Sequence, residues 1–162
     1  MVGEVVASPH QVSYSEYRLE FPGEPGSVHV VRGVVRVVCD SWYVPQDVTD
    51  TMVLLASEVV TNAVAVSEGE VLRMTLRRVL DYLYFNCCDY DPAVPGTPPM
   101  PDAEGLELSG RGLALVKELS ASCGWEPLTE AQGKICWLTL AVECESRSQL
   151  NERTGDARRP AP

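Results

Sequence analysis

The chain has 162 residues, 45% hydrophobic and 22% charged, proportions that fit one compact soluble domain and exclude a wholly disordered or fibrous chain. Thirteen Lys and Arg against twenty-three Asp and Glu give a net charge of −10, which excludes a basic surface for non-specific nucleic-acid binding. No run reaches the roughly 18 apolar residues of a membrane span, and the start carries Glu4 and no Lys or Arg, so a cytoplasmic protein without membrane contact is expected.

Residues 1–13 show no periodicity and are expected to form a flexible start. Tyr14, Glu16, Arg18 and Glu20 alternate with Ser15, Tyr17, Leu19 and Phe21, a period of two that predicts a half-buried strand ending at Pro22-Gly23. With Pro25 at a first-turn position, Val28, Val31, Val35, Val38 and Trp42 recur at spacings of three and four and predict a helix. After Pro45 a second helix is predicted over about 47–66, with Met52, Leu55, Val59 and Ala63 on one face. Val71 to Val79 and Tyr82 to Cys88 read as an antiparallel hairpin turning near Leu80-Asp81.

Residues 91–109 form a lid-like loop in this reading, since 91–108 hold five prolines, two glycines and four acids with no base, a composition that opposes regular structure. Ser109-Gly110-Arg111-Gly112 then opens a helical run to Leu119, followed by a strand around Trp125, a turn at Gln132-Gly133 and a last strand from Lys134 to Val142. The domain is expected over 14–145, with a disordered polar tail over 146–162. Helices and strands are segregated along the chain, which predicts an α/β two-layer sandwich with a mixed, largely antiparallel sheet and helices on one face. The six cysteines, Cys39, Cys87, Cys88, Cys123, Cys136 and Cys144, follow no zinc spacing and no secretory signal, and read as reduced, buried thiols.

Three places carry candidate chemistry. Glu58 and Asn62, four apart on the second helix, share one face, where a carboxylate can accept a proton and an amide oxygen can ligate Mg²⁺; the plain alternative is a solvated Glu beside a surface Asn. Gly110-Arg111-Gly112 at a helix start can offer free first-turn amides to a phosphate, with Arg111 in reach of it, or can be only a loop-to-helix transition. Asp89, where an apolar strand gives way to the loop, can accept hydrogen bonds from an exocyclic amine or simply cap a turn. Gly133 and Thr139 read by themselves as a hairpin glycine and an ordinary strand residue.

Five ordered segments, Phe21-Pro22-Gly23-Glu24-Pro25, Ser57 to Val64, Asp89 to Pro95, Gly110 to Val116 and Gly133 to Trp137, together resemble the small actinobacterial ATP-binding proteins of the anti-sigma-factor serine kinase family, within the GHKL or Bergerat-fold ATPase superfamily. The resemblance spans about Tyr14 to Val142. It implies ATP held between helices and sheet, with Asn62 binding Mg²⁺, Glu58 as general base, Asp89 holding the adenine amine, Gly110, Arg111 and Gly112 at the phosphates, and Thr139 near the adenine. The implied activity is transfer of the γ-phosphoryl group to a serine or threonine of a small anti-anti-sigma partner, in a protein that also captures a sigma factor as an anti-sigma factor and can form a homodimer. Tyr90-Asp91-Pro92 after Asp89, where relatives place glycines, and Ala65-Val66, where relatives carry a basic residue and His, leave a second reading open: a degenerate, non-catalytic member acting by protein contact alone.

Overall fold

Six antiparallel strands lie in the order β1-β2-β3-β4-β6-β5 in the computed structural model, which describes residues 5–7, 14–67, 69–90, 109–128 and 132–142. In chain order the elements are β1 (Val5–Ala7), β2 (Tyr14–Pro22), α1 (Pro25–Ser41), α2 (Gln46–Val66), β3 (Val71–Val79), β4 (Tyr82–Asp89), α3 (Ser109–Leu119), β5 (Ser122–Pro127) and β6 (Lys134–Ala141). The two-layer α/β arrangement and the largely antiparallel sheet agree with the sequence reading, and every strand pairing among the described residues is antiparallel. The reason is topological. The two-helix excursion after β2 returns the chain as an antiparallel neighbour, and β6 inserts between β4 and β5, which run the same way.

The start of the chain differs from expectation, because Val5–Ala7 adds a short edge strand to β2. Three residues are too few to show a period, so this strand is defined by its pairing. The expected loop over 91–109 lies outside the described residues except for Ser109, which opens α3, and the expected tail over 146–162 lies outside them entirely.

Pro25 starts α1 with a preset helical φ, and the hydroxyl of Ser27 donates to the carbonyl of Pro22 at 2.6 Å, tying the first turn to the end of β2. The helix ends where Tyr43 adopts a left-handed φ of 55° and the amide of Val44 donates back to the carbonyl of Cys39 at 3.0 Å. Its last turn has no basic residue of its own; Arg78 of β3 donates to the carbonyl of Trp42 and brings a positive charge to the negative end of the helix.

The core lies between the helices and one sheet face. Val31, Val35 and Val38 of α1 and Met52, Leu55, Ala56, Val59, Val60 and Ala63 of α2 pack with Leu19, Leu72, Met74, Leu76, Leu83, Phe85, Leu138 and Leu140. α2 is long and apolar enough to cross a membrane by length and composition, but its apolar residues are the centre of this core. The opposite sheet face is polar, with Glu20 paired to Arg73 at 3.0 Å and Glu16 paired to Arg18 and Arg77. The described cysteines are free thiols, and Cys144 lies outside the described residues. Burial pushes Cys39 up to about 12 and Cys136 up to about 11, and raises Cys87 well above its ordinary value, so these thiols are uncharged packing groups.

Candidate functional site

The flank of α2 that turns away from the sheet centre carries Glu58 and Asn62 one turn apart, and α3 packs against this helix. A methyl group built on Gly112 would collide with the Glu58 carboxylate, and the nearest atoms around that position all belong to Glu58. Glu58 therefore rests directly on the first turn of α3, close to amides that have no acceptor within their own helix. Gly110 and Arg111 belong to the same turn, and the Arg111 side chain lies outside the described residues.

Asn62 contributes the second observation. Its side-chain nitrogen is buried with no hydrogen-bond partner among the described residues. Leaving a buried amide unsatisfied costs about 1–3 kcal/mol, an expense that a structural Asn would avoid by turning outward or finding a partner. The amide can present either its NH₂ group or its oxygen by a half-turn, so it suits a phosphate oxygen or a hard cation equally.

Asp89 ends β4 directly opposite Lys134 at the start of β6, and strand alternation puts both on the helix-facing side, in line with Cys87, Phe85 and Leu138. The ammonium of Lys134 lies 3.1 Å from a carboxylate oxygen of Asp89, and the two side chains are 11% and 5% exposed. Gly133 makes this approach possible. Its φ of +130° disfavours any side chain, and a methyl there would strike the carbonyl oxygen of Asp89. The amide of Leu128 donates to the carbonyl of Gly133 at 3.0 Å, as expected of a glycine at a strand-joining turn.

The end of α2 is tied to the same region. The hydroxyl of buried Ser67 accepts a hydrogen bond from the amide of Tyr90 at 3.2 Å, so the helix bearing Glu58 and Asn62 is held to the end of the strand bearing Asp89. Gly23 completes the clamp: its amide donates to the carbonyl of Glu70 at 2.7 Å, and a methyl at this glycine would strike the carbonyl of Ser67.

Glu58 thus meets the first turn of α3, Asn62 lies one turn further along α2, and Asp89 ends the strand to which the end of that helix is tied. Thr139 does not join them. It is paired with Tyr84 and Ser122, its hydroxyl is 3.0 Å from that of Ser122, and it faces away from the helices. Strand alternation is the cause, since Lys134 and Thr139 are five residues apart and must project to opposite faces. Ser67 and Lys134 are site residues that motif reasoning alone does not assign. Lys134 can be suspected as a charged residue heading an otherwise apolar strand, but its pairing with Asp89 depends on a register between distant segments.

No cluster of three or more His, Cys, Asp or Glu suited to a metal occurs among the described residues. Mg²⁺ does not require one, because it usually keeps several waters and binds through one or two protein groups together with substrate phosphates. The orphaned Asn62 amide and the glycine-backed start of α3 fit a nucleotide's phosphates and such an ion. A family model described as a histidine kinase-like ATPase domain matches residues 21–140, from the end of β2 to within β6. No curated protein matches the chain significantly.

Proposed function

We propose that this chain, which belongs to the histidine kinase-like ATPase domain family, is an ATP-binding regulator that phosphorylates a serine or threonine of a small anti-anti-sigma partner and also captures a sigma factor. The observation that carries the reading is the contact between Glu58 and the first turn of α3, one helical turn from the buried Asn62 amide nitrogen, which has no partner among the described residues. A proton acceptor, a polar group in want of a ligand and free helix amides stand together, as phosphoryl transfer requires. The cytoplasm, where sigma factors act, is the setting this reading supplies.

In this mechanism the first-turn amides around Gly110 and Gly112 hold phosphate oxygens, and Arg111 adds a positive charge beside them. Asp89 accepts a hydrogen bond from the exocyclic amine of adenine. Asn62 would hold Mg²⁺ through its amide oxygen, and the ion would supply positive charge to the transferring phosphoryl group. Glu58 takes the proton of the partner's hydroxyl as that oxygen bonds to the γ-phosphorus, and the bond from phosphorus to the bridging oxygen breaks to leave ADP. Proximity does much of the work, because Ser67 ties the end of α2 to the end of the strand that carries Asp89.

The test is incubation with γ-labelled ATP, Mg²⁺ and an anti-anti-sigma protein from the same organism. The wild-type chain is expected to label the partner, and Glu58→Ala to abolish labelling while nucleotide binding, measured by calorimetry, persists. Equal labelling by the variant removes Glu58 from the mechanism. A second reading, regulation by contact without turnover, is favoured by Ala65 and Val66, which are exposed on α2 and place no positive group there. Nucleotide binding by the wild type without any labelled product would support it.

A further inference from the structure

α1 is the outermost helix on the β1–β2 side of the molecule, since it packs against α2 on one flank and lies over β2. Its other flank is open. Val30 and Val37, two turns apart, are 38% and 67% exposed, and Gly33 lies between them on the same stripe. A groove of about 420 Å³ runs along this flank, lined by Val30, Gly33, Val34 and Val37 together with Tyr17 of β2. A glycine in mid-helix weakens the helix relative to alanine. A methyl group on Gly33 would meet nothing within 4 Å, so no contact among the described residues requires the missing side chain. Close approach by another element would.

The sheet supplies a second, independent feature on the same side. β1 pairs with β2 and ends the sheet, so among the described residues its outer edge has no strand partner and offers backbone groups to another strand. One operation satisfies both features. A two-fold axis perpendicular to the sheet sets β1 antiparallel to β1 of a second copy and, in the helix layer above, α1 antiparallel to α1. In the register that puts Val30 against Val37 of the second copy, Val37 meets Val30 in return. Gly33 and Val34 then fall at the crossing, where a glycine lets two helices come close. The same register sets exposed His29, which can donate from a ring N–H, opposite the exposed Asp40 carboxylate of the second copy. Each contact occurs twice, as an isologous interface requires.

We propose that the Val30-Gly33-Val37 stripe of α1 and the edge of β1 form one face on which a second copy of this chain docks. The face lies on α1 and β1, apart from Glu58, Asn62 and the first turn of α3, and its use does not depend on the nucleotide reading. Its size sets the strength. A helix of 17 residues is about 25 Å long, and a strip of that length with a three-residue strand falls short of the roughly 800 Å² per partner of a standard interface. Association is therefore expected to be reversible, with a Kd of about 1–100 μM.

Sedimentation velocity of the full chain between about 2 and 500 μM tests this, with the wild type expected to pass from monomer to dimer across the range. Val37→Asp places a carboxylate against the apolar Val30 of the second copy and should raise the dimer Kd at least about tenfold. Gly33→Gln, a better helix former set in open space, keeps the fold even if Val37→Asp does not, and should weaken the dimer in the same way by blocking the crossing. Leu54→Asp, at an apolar position of α2 that is 40% exposed and off the stripe, should dimerise like the wild type. A wild type that stays monomeric throughout overturns the proposal. So does a dimer that neither Val37→Asp nor Gly33→Gln weakens, or one that Leu54→Asp weakens equally. Labelling of the anti-anti-sigma partner is read separately, so the docking face and the kinase reading stand or fall on different measurements.

Discussion

The Glu58 carboxylate lies so close to Gly112 that a β-carbon on that glycine would overlap it, and Glu58 supplies each of the three nearest atoms around the position. The closest obstacle to a side chain at Gly112 is therefore one residue, Glu58. In an ordinary helix Gly→Ala gains about 1 kcal/mol from the reduced entropy of the unfolded chain. Here the steric conflict should reverse the sign, so Gly112→Ala is expected to cost about 1–3 kcal/mol. In a Glu58→Ala background the same change should be neutral or stabilising, since of the three nearest atoms only the Glu58 β-carbon, at 3.5 Å, would remain. Urea unfolding of the four proteins measures the coupling, and additive effects would show that the contact is not maintained in solution.

Asn62 should trade stability for binding. Its buried nitrogen has no partner among the described residues, so replacing the amide with an apolar group of similar size removes an unsatisfied donor. Asn62→Leu is expected to leave the empty protein as stable as wild type or up to about 1 kcal/mol more so. The same variant should lose at least about tenfold in Mg²⁺-dependent nucleotide affinity if the amide serves the ligand. Thermal unfolding with and without Mg-ADP reads both effects in one experiment. A less stable protein with unchanged affinity would make Asn62 a structural residue.

Much of this organisation is visible in the sequence, and the rest depends on register. The spacing of Val31, Val35 and Val38 and of Met52, Leu55, Val59 and Ala63 announces two helices, because a long amphipathic period is a local property. The hairpin at Leu80-Asp81 and the four-residue step from Glu58 to Asn62 are equally local. The Asp89–Lys134 pair is not, since it joins segments that meet only when β6 docks beside β4. Thr139 marks a different lapse. Leu138 and Leu140 are both apolar, and alternation already turns the residue between them away from the core. Family resemblance suggests the strand, but the face follows from parity with Lys134.

The buried thiols should be inert in the native state. Burial drives Cys39 up to about 12, so at pH 8 it carries no appreciable thiolate, and the thiolate is the species that reacts with alkylating agents. Cys87 is shifted in the same direction for the same reason. Iodoacetamide at pH 8 is expected to modify both residues only as fast as the domain opens, and at once in denaturant. Peptide mass mapping over time separates the cases; prompt native labelling of Cys39 would contradict the packed α1–α2 core around it.

Acid stability should carry the imprint of Glu16 on the polar face of the sheet. Burial raises the pKa of this carboxyl, but hydrogen bonds from Tyr14 and Arg77 and the charges of Arg77 and Arg18 outweigh it, and the net effect holds Glu16 below its ordinary value of 4.5. A depressed folded-state pKa means that the unfolded chain binds the proton more readily. The stabilisation is therefore complete above the unfolded value and is lost as pH falls below 4.5 through the folded value. Glu16→Gln, which keeps the shape and removes the charge, should cost about 1–3 kcal/mol at pH 7, the usual worth of hydrogen bonds to a charged group. The difference from wild type should stay level from pH 7 to about pH 5 and shrink on further acidification, because both proteins then present a neutral side chain to Arg77 and Arg18. Urea unfolding of the two proteins between pH 7 and pH 3 gives the curve directly, and a gap that widens toward low pH would show that Glu16 is not held ionised by its arginine partners.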